Sequence, residues 1–245
     1  MKGVDFRMSD LYQSYKTFSN REFDELKSKN KLMVKRIDKK DTYDFILNKH
    51  YAQRKPSISY AYGLFINNKL EGILTIGKPA SNSLCEGVCG IDYKQYVYEL
   101  NRLCVNEGLP KNTLSQFVSK VLKDLSNTKI ILISYADEGA NHHGYIYQAT
   151  NWIYTGKTKS RTDKYTPNGK HSRHYTNEYN HLRKFRSSKY RYIYVPNKKF
   201  RKEVLKVLKY NIIKEYPKGE NKRYVLGEKI KTKVINTNTG EIFFE

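Results

Sequence analysis

A buried-strand signal that ends in a carboxylate constrains this chain more than any other feature. An unbroken apolar run extends from Ile130 to Ile133, and the chain reaches Asp137 four residues later. Short apolar runs with branched side chains, bounded by turn residues, are typical of buried strands. Open α/β sheets bind their ligands at the carboxyl ends of the strands. The sequence therefore predicts a functional site around Asp137.

The other hydrophobic patterns predict the elements that surround this strand. Helical patterns cover residues 38–48, 112–125 and 199–209, a short helix and strand cover residues 143–154, and residues 80–94 are expected to form a loop. Further strand patterns cover residues 31–37, 60–66, 70–76, 96–105 and 191–195. This order predicts an α/β (α+β) fold with a mixed sheet of six to seven strands and helices on both faces.

Domain organisation is expected to be simple, because 245 residues suffice for one substantial domain with small additions. We expect residues 1–30 to form an N-terminal arm and residues 31–216 to form the catalytic domain. That domain includes a basic segment over residues 157–210. Residues 217–245 read as a C-terminal tail with one hairpin about Asn238.

Positive charge is concentrated in the second half of the chain. The formal net charge is +22, and residues 151–245 hold 24 Lys and Arg against 8 Asp and Glu, compared with 22 against 16 in residues 1–150. A basic excess in one half of a protein indicates a polyanionic partner, most often nucleic acid. The alternative is a basic surface that serves solubility alone. An anionic membrane is disfavoured, because the basic run lacks an apolar helical face.

Cysteine usage and hydropathy bear on the cellular compartment. The three cysteines, Cys85, Cys89 and Cys104, form an odd set without metal-type pairing. No apolar stretch approaches the roughly 20 residues of a membrane span, and residues 1–13 lack the apolar centre of a signal peptide. We therefore expect a cytoplasmic protein with reduced thiols.

Several short motifs stand in a fixed order along the chain. They are His50-Tyr51, Glu99 to Arg102, Asn112 to Ser115, Tyr135 to Asp137, His143 to Gly156 and Tyr190 to Tyr194. The order of elements is similar to the GNAT acetyltransferase fold, in which the fourth and fifth strands part to admit a donor. The motifs resemble those of the Mom family of bacteriophages, whose members convert adenine in DNA to N6-carbamoylmethyladenine and so shield it from restriction.

The resemblance, with the chemistry of the residues, indicates a catalytic set. Asp137 would accept a proton from the amine, although a carboxylate after a strand also commonly caps a turn. Arg102 lies in an apolar strand pattern, where a guanidinium needs a partner, and Asp137 on the neighbouring strand is the candidate. His50 would transfer a proton near neutral pH, Tyr51 would donate or stack, and Tyr147 would handle a second proton or hold the base.

The donor site is expected at the start of the helix after the fourth strand. Helix N-termini offer free amides to anions, and Asn112, Thr113 and Ser115 open this helix. The resemblance suggests an acyl-CoA donor, but the glycine-rich turn of ordinary acetyltransferases is missing, so the small-molecule donor stays open. A second alternative treats His50, Asp137 and His142 as ligands of a non-haem iron.

The basic segment is expected to bind double-stranded DNA. Lys and Arg neutralise phosphates without reading the sequence, and interleaved aromatic residues offer stacking surfaces. The residues assigned to this role are Lys157, Arg161, Arg173, Arg183, Lys184, Arg186 and Arg191. Two other functions remain open, namely a non-enzymatic nucleic-acid-binding protein and an N-acyltransferase that acts on another amine.

Overall fold

The computed structural model describes residues 32–167, 174–219, 225–228 and 231–245. The expected arm of residues 1–30 and the assigned DNA-binding residue Arg173 lie outside these ranges. Within these ranges seven strands form the main sheet. They are β1 (Met33–Arg36), β2 (Tyr60–Ile66), β3 (Lys69–Gly77), β4 (Val97–Val105), β5 (Ile131–Asp137), β6 (Ile153–Lys157) and β9 (Lys189–Tyr194).

The main sheet is mixed, as the sequence predicted. Its strand order is β1-β2-β3-β4-β5-β9-β6, in which β4 and β5 are parallel and the other neighbours are antiparallel. The hairpin of β2 and β3 turns at Asn67 and Asn68, which both have positive φ angles of 52° and 61°. Asparagine tolerates this left-handed conformation, so the turn signal in the sequence was sound.

Helices cover both faces of the main sheet. On one face, α2 (Thr113–Asp124) buries Phe117, Val118, Val121 and Leu122 against β2, β3, β4 and β5, beside the short α3 (Tyr145–Ala149). On the other face, α1 (Asn82–Cys89) and α4 (Lys198–Val207) pack together over Val97, Ile131 and Ile193. Burial of these apolar surfaces is the main force that holds the layers together.

Two segments differ from the sequence predictions. Residues 80–94 were expected to be a loop, but they contain α1 and a 3₁₀ helix over Ile91–Tyr96. The Ser81 hydroxyl caps α1 by accepting a hydrogen bond from the Leu84 amide at 3.2 Å, and burial of Cys85 and Val88 stabilises it. Residues 38–48 form 3₁₀ and π turns over Lys39–Thr42 and Phe45–Lys49 rather than an α-helix.

A second sheet was not predicted. It has four antiparallel strands in the order β11-β10-β8-β7. They are β7 (Arg161–Lys164), β8 (Leu182–Arg186), β10 (Lys233–Asn236) and β11 (Ile242–Phe244). The C-terminal hairpin expected about Asn238 is present, and it is joined to the basic strand β8. Within the described ranges, no helix combines the length and the apolar character that a bilayer span needs.

Candidate active site between the parting strands

The site begins where the two parallel strands separate. β4 and β5 pair only at Val97 to Glu99 with Ile131 to Ile133, and beyond this point the strands diverge. One side chain bridges the gap, since the Ser134 hydroxyl donates a hydrogen bond to the Leu100 carbonyl at 2.8 Å. The parting of these strands leaves backbone and side chains of both facing an opening.

A cleft of about 1690 Å³ occupies this opening. Its walls are the carboxyl-terminal half of β4, the end of β5, the segment before and within α3, the first turn of α2, and the second sheet. Every residue that we predicted to be catalytic or donor-binding lines it, as do Lys184 and Arg186. The cleft is large enough for a nucleotide together with a small-molecule donor.

Glu99 is a carboxylate of the cleft whose pKa is shifted by its surroundings. Burial raises the pKa of Glu99, and the positive charges of Arg102 and Lys189 oppose this shift without cancelling it. Among the described residues no donor forms a hydrogen bond to its carboxylate. A partly desolvated, uncommitted carboxylate beside a guanidinium is poised to accept a proton from a substrate.

Arg102 is held mainly by backbone. Its guanidinium donates to the carbonyls of Asn101 at 2.6 Å and Arg54 at 2.8 Å. Its Nε–H is buried, and no described residue accepts a hydrogen bond from it. Burial lowers the pKa of Arg102, with Tyr51 and Glu99 acting in the opposite direction, yet a guanidinium stays charged at neutral pH. The group therefore presents a fixed positive charge to the cleft.

The predicted ion pair between Arg102 and Asp137 is not found among the described residues. Asp137 instead pairs with Lys189 at 2.9 Å, and it accepts hydrogen bonds from the Gly139 amide at 3.0 Å and from the Ser187 hydroxyl. These contacts match the alternative in which Asp137 is a turn cap, because its side chain caps the turn that follows β5. Lys189 is the partner of this carboxylate because it lies directly opposite Asp137 in the antiparallel pair of β5 and β9.

His50 is buried and neutral. Its Nδ1 accepts a hydrogen bond from the Ala52 amide at 3.0 Å, and its ring stacks on Tyr51 with centroids 4.3 Å apart. Burial, with smaller contributions from Arg102 and His142, lowers the pKa of His50 to about 3. The predicted proton transfer near neutral pH is therefore not supported, since a histidine with so low a pKa stays unprotonated there.

The low pKa of His50 makes stability depend on pH. The unfolded chain binds a proton near pH 6.5 and the folded chain only near pH 3, so the His50 contribution is complete above pH 6.5 and is lost as the pH falls. Between pH 7.5 and pH 5 we expect the free energy of unfolding to drop by about 2 kcal/mol through this group. Urea denaturation of the wild type and of His50→Gln at both pH values separates the contribution of His50 from the rest of the pH dependence. An identical pH dependence in the two proteins would contradict the assignment.

The two predicted tyrosines are buried at the cleft wall. The Tyr147 hydroxyl lies 2.7 Å from the Ser134 hydroxyl, and burial raises the pKa of Tyr147. Because the Ser134 hydroxyl donates its proton to the Leu100 carbonyl, the Tyr147 hydroxyl is the donor in the second hydrogen bond. The Tyr147 proton is therefore engaged in a contact between α3 and β5. Burial also raises the pKa of Tyr51, which contacts the ring of His142 edge-on at 5.9 Å.

Comparison with known proteins identifies the family. The model of the Mom protein family matches residues 31–218, which is most of the chain. The chain belongs to the Mom protein family.

A curated Mom protein gives a second match. The protein named methylcarbamoylase mom, from Escherichia phage Mu, is 33% identical over 120 residues. The alignment covers 47% of this chain and 49% of that protein, so the chain spans about half the length of the curated relative that it matches.

Solved structures with a similar arrangement are acetyltransferases. One is a Bacillus subtilis acetyltransferase in complex with CoA, with 14% identity, coverage of 67% of this chain and 99% of the other, and a TM-score of 0.41. Another is the ribosomal-protein-S18-alanine N-acetyltransferase from Escherichia coli, with 9% identity, coverage of 68% and 95%, and a TM-score of 0.42. At these scores neither carries an inference about this chain.

The first turn of α2 fits an anionic group. Asn112 takes a left-handed φ of 65°, and the Ser115 hydroxyl donates to its carbonyl at 2.9 Å. The Thr113 amide is bonded to Pro110, whereas the Leu114 and Ser115 amides have no backbone acceptor among the described residues. Free amides at a helix N-terminus that faces a cleft suit a phosphate-bearing donor, and the donor-binding roles of Asn112, Thr113 and Ser115 remain predictions.

The predicted iron ligands do not come together. Within the part of the chain that the structure describes, no group of three or more His, Cys, Asp or Glu side chains is placed to hold a metal ion. Two of the three proposed ligands have other engagements, because His50 Nδ1 accepts from Ala52 and Asp137 pairs with Lys189. His50, Asp137 and His142 all line the cleft, but they are not arranged as one ligand set.

The predicted DNA-binding residues fall into two groups. Lys184 and Arg186 line the cleft, where Arg186 also pairs with Asp163 at 2.9 Å, and Arg183 precedes Lys184 on β8. The others are engaged on neighbouring surfaces: Lys157 pairs with Glu138, Arg161 with Asp163 at 3.2 Å, and Arg191 bonds Thr155 and stacks on Tyr210 at 3.4 Å. These assignments remain predictions, and the β8 residues are best placed to meet a ligand in the cleft.

Two cleft residues were missed by the residue assignments. Glu99 belongs to the motif Glu99 to Arg102, but no catalytic role was predicted for it. Lys189 contributed only to the count of positive charges. Spacing within β4 gave a signal for Glu99, since Glu99 and Arg102 are the two charged residues of an otherwise mainly apolar strand. For Lys189 only the register of β5 with β9 could have revealed the pairing with Asp137.

Proposed function

We propose that this chain is a DNA-modifying transferase that acts on the exocyclic amine of adenine. Support comes from its membership of the Mom family and from its similarity to the phage Mu protein named methylcarbamoylase mom. The proposed product is N6-carbamoylmethyladenine or a related N6-substituted adenine, which protects phage DNA from restriction. The observation that carries the proposal is a single cleft that joins an uncommitted carboxylate, a fixed guanidinium, a free helix N-terminus and a basic sheet.

Each part of the cleft has a role in this reaction. The N6 amine forms a new N–C bond and loses a proton, which Glu99 accepts, while the leaving group departs with its bonding electrons. Arg102 stabilises negative charge that develops on the transferred group, because its charge is fixed by backbone carbonyls before substrate binds. A donor bound at α2 supplies the carbon group. An acyl-CoA, which the resemblance to acetyltransferases suggests, would lose CoA thiolate and give an N6-acyladenine, whereas a carbamoylmethyl product needs an amide-bearing donor or a further step that adds nitrogen.

The adenine must leave the base stack to reach Glu99. Enzymes that act on a base inside a duplex extrude it into a pocket, and the second sheet forms one wall of the cleft between β4 and β5. Lys184 and Arg186 on that sheet would hold the phosphates on either side of the extruded nucleotide. The DNA would then lie over the cleft while the donor enters from the α2 side.

The proposed activity is tested by nucleoside mass spectrometry. Plasmid DNA from cells that express the chain is compared with DNA from cells that carry the empty vector. We expect an additional deoxyadenosine species with the mass of a carbamoylmethyl or related addition in the first sample alone. Unmodified deoxyadenosine in both samples would favour the second candidate, a nucleic-acid-binding protein without activity, which the structural engagement of Asp137 by Lys189 also favours.

The basic strand gives a prediction about DNA affinity. Replacing Arg183, Lys184 and Arg186 by Ala should weaken binding to all DNA sequences. It should also reduce the magnitude of the slope of log K against log salt concentration by about 2 to 3, since each lost phosphate contact contributes about 0.9 to that slope. The matched control replaces three exposed lysines of α4, Lys198, Lys199 and Lys202. Fluorescence anisotropy over a range of salt concentrations measures the affinity and the salt slope of each variant.

The control removes equal charge at the opposite end of the sheet. α4 follows the carboxyl end of β9, which lies beside Leu132, whereas the cleft opens at the Asp137 end of β5. We therefore expect the α4 variant to change the salt slope less than the β8 variant does. Equal slopes for the two variants would mean that total charge, rather than the cleft wall, governs DNA binding.

A further inference from the structure

The second sheet separates its side chains into two unlike faces. Successive residues of a strand point to opposite faces, and residues paired across strands share a face. The pairs Thr162–Phe185, Lys164–Arg183, Lys233–Phe244 and Ile235–Ile242 therefore lie on one face. We call it the aromatic-basic face, and its residues are Thr162, Lys164, Arg183, Phe185, Lys233, Ile235, Ile242 and Phe244.

The aromatic-basic face is exposed and carries no carboxylate. Phe185, Ile242 and Phe244 are 38%, 48% and 63% exposed, so this face presents three large apolar side chains to solvent. The basic residues stand among them, with the Lys233 ammonium 5.7 Å from the centre of the Phe185 ring. Asp163, the acidic residue within these strands, lies on the opposite face, where it pairs with Arg186 at 2.9 Å.

This face continues into the cleft. Phe185, Lys233 and Phe244 contribute to the cleft lining together with Glu99 and Arg102. A ligand that enters the cleft from this side must therefore pass over exposed rings and positive charges. Flat apolar rings interleaved with positive charge match a polyanion that also offers flat rings, and a nucleic-acid strand with unstacked bases has that chemistry.

We propose that the aromatic-basic face binds a DNA strand whose bases are unpaired next to the target adenine. Bases stack on Phe185 and Phe244, while Lys164, Arg183 and Lys233 contact the phosphates between them. A perfect duplex offers phosphates but no free base faces, so the protein should prefer DNA that is locally opened. This inference rests on the proposed function for the choice of DNA, and it adds the state of the DNA that is recognised.

Equilibrium binding of fluorescent oligonucleotides tests the inference without any donor. The probes are a single strand, the matched duplex, and a duplex with a three-nucleotide bubble that contains adenine. We expect Phe185→Ala/Phe244→Ala to bind the single strand and the bubble at least tenfold more weakly than the wild type, and the matched duplex less than threefold more weakly. Equal losses on all three probes, or no loss on any, would overturn the proposal.

Two further variants guard against loss of the fold. Phe243→Ala removes a ring on the opposite face of β11, where Phe243 contacts Tyr165 edge-on, and it should keep the preference for unpaired DNA. Phe185→Tyr/Phe244→Tyr retains rings at both positions and should restore binding to within about threefold of the wild type. A preference lost in Phe243→Ala, or one that the tyrosines do not restore, would assign the effect to the stability of the sheet.

The outcome is separable from that of the proposed function. If expressed chain modifies plasmid deoxyadenosine but the alanine pair leaves the preference for unpaired DNA intact, only the role of the face fails. If the face shows the expected preference and no modified nucleoside is found, only the enzymatic proposal fails. An RNA strand of the same sequence that binds more tightly than the DNA strand would overturn the choice of DNA.

Discussion

Replacing Glu99 by Gln is expected to reduce adenine modification about a thousandfold, within the range of about 10² to 10⁴ for the loss of a general base. The amide keeps the size of the side chain and cannot accept the proton that leaves the amine. Of the cleft carboxylates, Glu99 has a pKa raised by burial and no hydrogen bond from any described residue. The measurement is the rate of appearance of modified deoxyadenosine in an oligonucleotide, with the relative amounts in plasmid DNA as a first screen.

Two matched variants serve as controls for Glu99→Gln. Glu203→Gln makes the same change on the exposed surface of α4, away from the cleft, and should leave the rate unchanged. Asp137→Asn keeps an oxygen that can accept from Gly139 and loses the ion pair with Lys189. We expect it to reduce the rate less than Glu99→Gln does. The reverse order would restore Asp137 as the base, as the sequence suggested.

The pH dependence of the rate offers an independent check on Glu99. A general base works only when it is deprotonated, so the rate should rise with pH through the pKa of that carboxyl. Because burial raises the pKa of Glu99, the rise should lie at a higher pH than for an ordinary glutamate. In Glu99→Gln the small residual rate should lack this acid limb. An acid limb that survives the substitution would point to another group.

Much of the main sheet could be predicted from periodicity. Strands β2 and β3 have strong apolar patterns joined by an Asn-Asn turn, and β5 is a fully buried run, so local sequence and tertiary context agree there. α2 was predicted from one apolar face. The parting of β4 and β5 followed from the family resemblance alone, since no local pattern states where a parallel pair stops.

The rest depended on contacts that are distant in sequence. The second sheet joins β7 and β8 to β10 and β11, and its strands are three to five residues long with charged positions, so no apolar alternation marks them. The location of Asp137 was correct, but its partner was not. Lys189 reaches it through the register of β9, 52 residues along the chain, which short-range patterns do not encode.

Replacing Gly144 by Ala is expected to lower the free energy of unfolding by about 3 kcal/mol, from a strained left-handed backbone together with overpacking. Gly144 precedes α3 with a φ of 81°, and a Cβ there would lie 2.3 Å from the Tyr192 ring. That ring is fully buried and has no room to retreat, because its hydroxyl donates to the His143 carbonyl and accepts from Gln148. Chemical denaturation measures the change.

The control for Gly144 is Gly240→Ala in the turn of the C-terminal hairpin. Gly240 has a similar φ of 73°, but no atom lies within 4 Å of the position that its Cβ would take. Its substitution therefore reports the backbone strain alone, which we expect to be about 1 kcal/mol. The difference between the two variants measures the contact of Gly144 with Tyr192. Equal destabilisation would show that the ring can move, and that the wall formed by α3 is not fixed by this contact.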